Sequence, residues 1–286
     1  MLPKLLLFLL QAVPPVLPDT YTVGVVGDNQ NGPTTFAAIC QRLAAEPISL
    51  FVGVGDHVQN GLPSEWTSQW QQPLTPIAGV PRMGAIGNHD DVPGYVANVW
   101  PSQQHALTSI YGPAVALWTA TTVGGVRWVF LDTNEHPTIR LSLEPGGLQR
   151  QFLEQEITST AWANAGFRIV AFHHPYRTEY WDGGCYYPAQ PERDTLMATL
   201  TQANPGPTLI LNGHSHAYQR GAVGGRAWII SGGGGGFLDT THCWDWPEIT
   251  VAQPIWHYLA ITVTPAQLLV RVRRVDGSLV EEVILP

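Results

Sequence analysis

The sequence predicts an α/β fold, and two observations predict it. The apolar, β-branched run Tyr21–Val26 ends in Gly27-Asp28, a helix-period stretch follows, and the run Ile48–Val54 ends in Gly55-Asp56. Strand, helix and strand in that order form the unit of a sheet with crossover helices. The same kind of ending then recurs. Arg82–Ile86 stops at Gly87-Asn88, Val126–Leu131 at Asp132, Phe167–Phe172 at His173 and Thr208–Leu211 at Asn212-Gly213-His214. In open α/β sheets the groups that act on ligands collect at such strand ends.

Each element has its own signal. Thr34 or Thr35 can cap a first helix that runs to about Ala45, with Phe36, Ile39, Cys40 and Leu43 on one face. Pro63 to Leu74 places Trp66 and Trp70 on one helix face. Asp91 to Gly112 reads as a loop-rich span. A single helix is expected from Gly147 to Asn164, with Leu148, Phe152, Leu153 and Ile157 inward, and another from Glu192 to Thr201. Ala227–Ile230 is a strand that leads into the glycine run Ser231 to Gly236. Trp256–Val263, Gln267–Val275 and Leu279–Leu285 read as antiparallel strands, with Asp276-Gly277 as a hairpin turn. No internal repeat and no linker interrupts residues 19–286, which are expected to form one domain.

Composition narrows the function. With 286 residues, 44% hydrophobic and 13% charged, the chain can bury a core without staples. A net charge of −8 and the lack of any basic run argue against a nucleic-acid polymer as partner. That charge would also repel anions, so a phosphate substrate would depend on local metal charge. Met1 to Leu10 has a basic start and a short apolar stretch, and residues 1–18 resemble a signal peptide, the alternatives being a strand or a tail. The segment is too short to span a bilayer, and no integral membrane span is expected. Export to the periplasm or the medium follows if it is a signal, and a cytoplasmic location if it is not. Of three cysteines, Cys40 lies on a helix face, whereas Cys185 and Cys243 sit in glycine- and tryptophan-rich loops and are candidates for a disulfide.

The strand ends supply Asp28, Asp56, Asn88, His173, His214 and His216. Two carboxylates, an amide and three imidazoles exceed the needs of one tetrahedral ion and suit two ions a few ångströms apart. A bridging carboxylate keeps two cations close, and Asp56 is the central candidate.

Gly27-Asp28, Gly55-Asp56, Gly87-Asn88-His89-Asp90, His173-His174-Pro175 and Gly213-His214-Ser215-His216 resemble, in order and spacing, the signature blocks of the calcineurin-like metallophosphoesterases. The last block, continuing through Ala217-Tyr218-Gln219-Arg220, is most similar to the purple acid phosphatase type. The resemblance runs from about Tyr21 to Pro286. It implies a four-layer sandwich of two mixed β-sheets flanked by helices, and two metal ions drawn from iron, zinc and manganese. The first ion would be held by Asp28, Asp56 and His216, the second by Asp56, Asn88, His173 and His214. His89 would lie beside the leaving oxygen as general acid or charge stabiliser. Asp90 or Asp132 would orient a histidine, and His174 would stand behind the ligands.

The implied chemistry is hydrolysis of a small phosphorylated substrate, with a hydroxide between the two ions attacking phosphorus. A phosphomonoesterase of acid-phosphatase type is the leading expectation. A phosphodiesterase acting on nucleotides or lipid head groups, or a binding protein that keeps the fold, are the alternatives. Two departures stand out. Gln30 occupies a position where many of these enzymes have histidine, and it would offer an amide oxygen to the first ion or leave the place to water. Gln59 replaces the tyrosine that colours purple acid phosphatases. The aromatic loops, with Tyr176, Tyr180, Trp181, Tyr186, Tyr187, Trp244 and Trp246, are read as packing first and substrate wall second. His242 and His257 match no block and are read as structural. The glycine run lacks a phosphate-binding continuation and reads as close backbone approach beside the metals.

Overall fold

The computed structural model describes residues 17–99, 105–109, 112–134, 143–186 and 191–286. The segment read as a signal peptide lies outside the described residues up to residue 16, as does Tyr187.

The chain opens one sheet, builds a second, and returns to the first. It begins with β1 (Tyr21–Val26), β2 (Ile48–Val54) and β3 (Arg82–Ala85). A separate antiparallel pair, β4 (His105–Ser109) and β5 (Gly112–Ala116), follows. The second sheet uses β6 (Thr119–Val123), β7 (Val126–Phe130), β8 (Phe167–Ala171), β9 (Leu209–Asn212), β10 (Tyr218–Val223), β11 (Arg226–Ser231) and β12 (Ile249–Gln253). The chain then adds β13 (His257–Val263), β14 (Leu268–Arg274) and β15 (Leu279–Leu285) to the first sheet. The first sheet runs β15-β14-β13-β1-β2-β3 and the second β12-β10-β11-β9-β8-β7-β6. Both are mixed. β1, β2 and β3 are mutually parallel, whereas β13 meets β1 antiparallel. β7, β8, β9 and β11 are parallel neighbours, and β6, β10 and β12 are antiparallel to theirs.

Alternation along the strands fills two cores, because successive side chains point to opposite faces. In β8, Phe167, Ile169 and Ala171 enter the core shared with Val23, Val25, Leu50 and Val52 of the first sheet. Val170 and the following Phe172 face the other way, against Leu153, Trp162, Leu196 and Leu200 of the helices. Those helices are Leu148–Glu156, Thr160–Asn164 and Pro191–Gln202. The outer face of the first sheet is covered by the helix Pro33–Ala44, whose Phe36, Ile39, Cys40 and Leu43 are all buried. Four layers result, as the resemblance implied.

Local differences have local causes. The stretch 63–74 is a helical turn at Pro63–Glu65 wound into a wider π-helical turn at Trp66–Gln71, which still buries Trp66 and Trp70. The span 91–112, expected as loop, holds a helix at Val92–Asn98 and the strand β4. Asp91 caps that helix by accepting the N–H of Gly94. The single helix expected over 147–164 breaks in two, because Ser159 caps a new helix on the N–H of Trp162. Leu148, expected inward, is exposed, and Gln149 is buried in its place, bonding both backbone groups of Asp132. Strands β6, β10 and β12 give weak sequence signals because their burial is partial.

Candidate metal centre

The carboxylates are placed by sharp turns at the strand ends. Asp28 follows β1 with φ 59° and Asp56 follows β2 with φ 53°, both in the left-handed region. His214, after β9, has φ 69°. Non-glycine residues in this region are uncommon and cluster where a site demands them. The turns leave no room beside them. A Cβ on Gly87 would overlap the backbone nitrogen and carboxylate of Asp56, and one on Gly213 would overlap the carboxylate of Asp28.

Three side chains converge on one imidazole nitrogen. His173 Nε2 lies 3.2 Å from Asp56 Oδ2, 3.1 Å from Asn88 Oδ1 and 3.9 Å from Asp28 Oδ1. Its Nδ1 faces the carbonyl of Val54 at 2.9 Å, which directs Nε2 inward toward the carboxylates, the orientation a metal-binding imidazole needs. His216 is set in the same way: Nδ1 meets the carbonyl of Phe237 at 2.5 Å, and Nε2 lies 3.5 Å from Asp28 Oδ1. The backbone N–H of His214 donates to both oxygens of Asp28 at 2.9 Å, and its ring packs 5.0 Å from that of His173. Ligand atoms of Asp28, Asp56 and His173 all lie within 4.8 Å of one another.

The electrostatics show that this cluster suits cations. Burial works against charge on His173, but the carboxylates of Asp56 and Asp28 outweigh it and raise the imidazole to about 10. Burial likewise opposes charge on His216, yet its hydrogen bond to Asp28 and the charge there raise it to about 9. Burial would raise the carboxyl of Asp56, but His173 beside it holds the group well below its ordinary value. Burial raises the carboxyl of Asp28, and a buried carboxylate faced by protonated histidines marks a place where cations can take over the role of those protons. Burial and the neighbouring imidazoles push His174 and His214 well below an ordinary histidine, toward the neutral form that a metal-binding imidazole requires.

The structure also shows what the sequence left open. Gln30, read as a possible oxygen donor, presents its Nε2 to Asp56 Oδ2 at 2.6 Å and steadies that carboxylate. His89 donates its backbone N–H to Asp56 Oδ1 at 2.9 Å. Its Nδ1 lies 2.6 Å from the carbonyl of Gln59, and Nε2 faces Asp56 Oδ2 at 3.9 Å on the partly exposed side of the ring. Asp90 does not orient a ligand histidine. It holds the buried His57, which packs edge-on against Trp70. His174 stands closer than a support: its ring is 4.3 Å from that of His214, and Thr133 Oγ1 meets its Nδ1 at 2.8 Å. The doubled histidine before Pro175 was the available signal.

The loops around the centre are fastened to it. The glycine run passes between the ligand loops, with Gly236 donating to the carbonyl of Asp28 at 2.8 Å and Gly234 to that of Gly27 at 2.9 Å. His257, beneath the run, is buried and accepts from Ser231. Cys185 and Cys243 form a disulfide, and Cys40 is buried and free. Between the joined loops, Trp181 packs its ring 5.0 Å from His214, and Asp239 accepts the backbone N–H of His216 at 2.8 Å.

The buried Asp28, Asp56 and His173, the half-buried His214 and His216 and the exposed Asn88 gather at the strand ends of a double-sheet sandwich, an arrangement of the phosphoesterase class. The chain belongs to the calcineurin-like phosphoesterase family, whose model matches residues 21–218. That family works with two metal ions. Among solved structures, a purple acid phosphatase from yellow lupin seeds superposes with a TM-score of 0.71 at 17% identity, covering 94% of this chain and 54% of its own. GAP50 of Plasmodium, described as the anchor in the inner membrane complex, gives 0.72 at 13% identity, covering 94% and 89%. A dimetal phosphatase from Danio rerio gives 0.64 at 13%, covering 93% and 98%. At these identities the likenesses show the fold. The present chain spans about half the length of the lupin enzyme. No curated protein matches the sequence significantly.

Proposed function

We propose that the chain hydrolyses phosphomonoesters at a centre of two metal ions bridged by Asp56. The observation that carries this is the convergence of Asp28, Asp56 and Asn88 on His173 Nε2, within 3.1 to 3.9 Å. Asp28, Asp56 and His216 would hold the first ion, and Asp56, Asn88, His173 and His214 the second. Two ions there supply Lewis-acid stabilisation of the phosphoryl oxygens and a nucleophilic water at neutral pH.

The chain's own residues do the rest. Gln30 and the backbone of His89 hold the two oxygens of Asp56, so the bridge keeps one orientation. His89, with Nδ1 directed to the carbonyl of Gln59, keeps Nε2 toward the open side, where it can deliver a proton to a departing alkoxide. Its partial exposure gives a substrate oxygen access to that nitrogen. The disulfide suits an oxidising compartment, which favours an exported protein.

The test is turnover of a chromogenic monoester and of its diester analogue by chelator-stripped protein, with manganese, zinc or iron added back. Metal-dependent monoester hydrolysis that exceeds diester hydrolysis is expected. No turnover with any metal would overturn the reading.

A further inference from the structure

Resting on that reading, we infer that the rim beside His214 and His216 is a subsite for a flat apolar group, so that the preferred substrate is a single phosphoryl group esterified to an aromatic alcohol. Three aromatic residues stand there. Trp181 packs its ring 5.0 Å from the ring of His214, tilted by 36°. Phe237 gives its carbonyl to His216 Nδ1, yet its side chain is 78% exposed. Trp256, 40% exposed, donates its indole N–H to the carbonyl of Gly236 at 2.9 Å, one residue before Phe237. Large exposed aromatics are costly to leave in water, and here Phe237 is one hydrogen bond from His216, while Trp256 is bonded to Gly236, which donates to the carbonyl of Asp28. An aromatic group held there would be continuous with a phosphoryl group at the metals.

Charge sets the other half of the specificity. The rim loops carry Asp182 and Asp239, linked through the backbone N–H of Asp182 at 3.0 Å. The sequence has one lysine, Lys4. The one arginine of the 176–186 and 237–246 loops, Arg177, is paired with Glu248 at 2.7 Å and lies over the ring of Trp246. A second phosphate or a carboxylate on the substrate would therefore meet carboxylates at this rim, and nucleoside polyphosphates are poor candidates.

The experiment measures binding of non-hydrolysable phosphonates to zinc-loaded protein by calorimetry. Benzylphosphonate is expected to bind at least about tenfold more tightly than methylphosphonate, the order expected for burying part of one ring. Adding a carboxylate to the ring is expected to reverse that gain. Phe237→Ala should remove most of the preference for the ring, and Phe237→Leu should keep part of it, which separates lost apolar contact from a damaged fold. Equal binding of the benzyl and methyl compounds, or tighter binding of the carboxylated ring, would overturn the inference. Wild-type protein that prefers benzylphosphonate but hydrolyses no ester would leave the subsite standing and remove the phosphoesterase reading. Turnover without a ring preference would do the opposite.

Discussion

Asp90 faces His57 Nδ1 with its Oδ2 at 2.8 Å, and neither residue is a candidate metal ligand. The same carboxylate also accepts the backbone N–H groups of His57 at 2.8 Å, Val58 at 3.3 Å and Gly87 at 2.9 Å. It therefore ties the loop that carries Asp56 to the loop that carries Asn88 and His89. Both side chains are buried, so nothing in the solvent can replace it. Asp90→Ala is expected to destabilise the metal-free protein by about 3 kcal/mol, because it leaves several buried N–H donors without their acceptor. It should also weaken metal binding by about tenfold to a hundredfold, as the loss of a supporting group does. Denaturant unfolding and calorimetric metal titration read the two effects separately. Unchanged metal affinity would mean that the loops are positioned by other contacts.

Metal loading should release protons. His173, raised to about 10, and His216, raised to about 9, both carry a proton in the metal-free protein at pH 7. A histidine must be neutral to bind a metal, so loading at pH 7 is expected to displace about two protons. Apparent affinity should rise with pH until it approaches 10, where His173 has also lost its proton. Calorimetry in buffers of different ionisation enthalpy counts the protons directly, and zero release would show that these histidines stay protonated or do not bind.

His257 gives a pH effect that is independent of the metals. Burial lowers its imidazole to about 4, while Ile255 accepts at Nδ1 and Ser231 meets Nε2. An unfolded chain takes up this proton near pH 6.5 and the folded chain only near pH 4. Its contribution is therefore complete above 6.5 and lost progressively as pH falls from 6.5 to 4, by about 3 kcal/mol in all. His257→Gln should flatten the stability profile across that window relative to wild type, as read by unfolding at fixed pH values.

The disulfide closes a separation of 58 residues. The loop-entropy account assigns such a bridge about 4 kcal/mol. Reduction should lower stability by that order and loosen the two loops attached to His214 and His216. Thiol titration of the denatured protein should find one reactive group before reduction and three after it. Three before reduction would contradict the pairing.

The sandwich and most of the centre were legible because both rest on local signals. β1, β2 and β15 appear at the residues their composition marks, and Asp28, Asp56, Asn88, His173, His214 and His216 come together where glycine-led strand ends place them. What was hidden depends on tertiary contact. Gln30 reads as a ligand by position, but only the fold shows its amide nitrogen against Asp56. His57 and Asp90 look unrelated along the chain because they meet across two turns. β10 and β12 alternate too weakly to stand out, since one face of each is only partly covered.

The central claim is a pair of ions that share Asp56, and counting ions tests it most directly. Chelator-stripped protein titrated with zinc in a calorimeter should take up two ions, and Asp56→Ala should lose tight binding at both sites together. Uptake of a single ion by wild type, or loss of only one ion in the Asp56→Ala protein, would contradict the bridged centre.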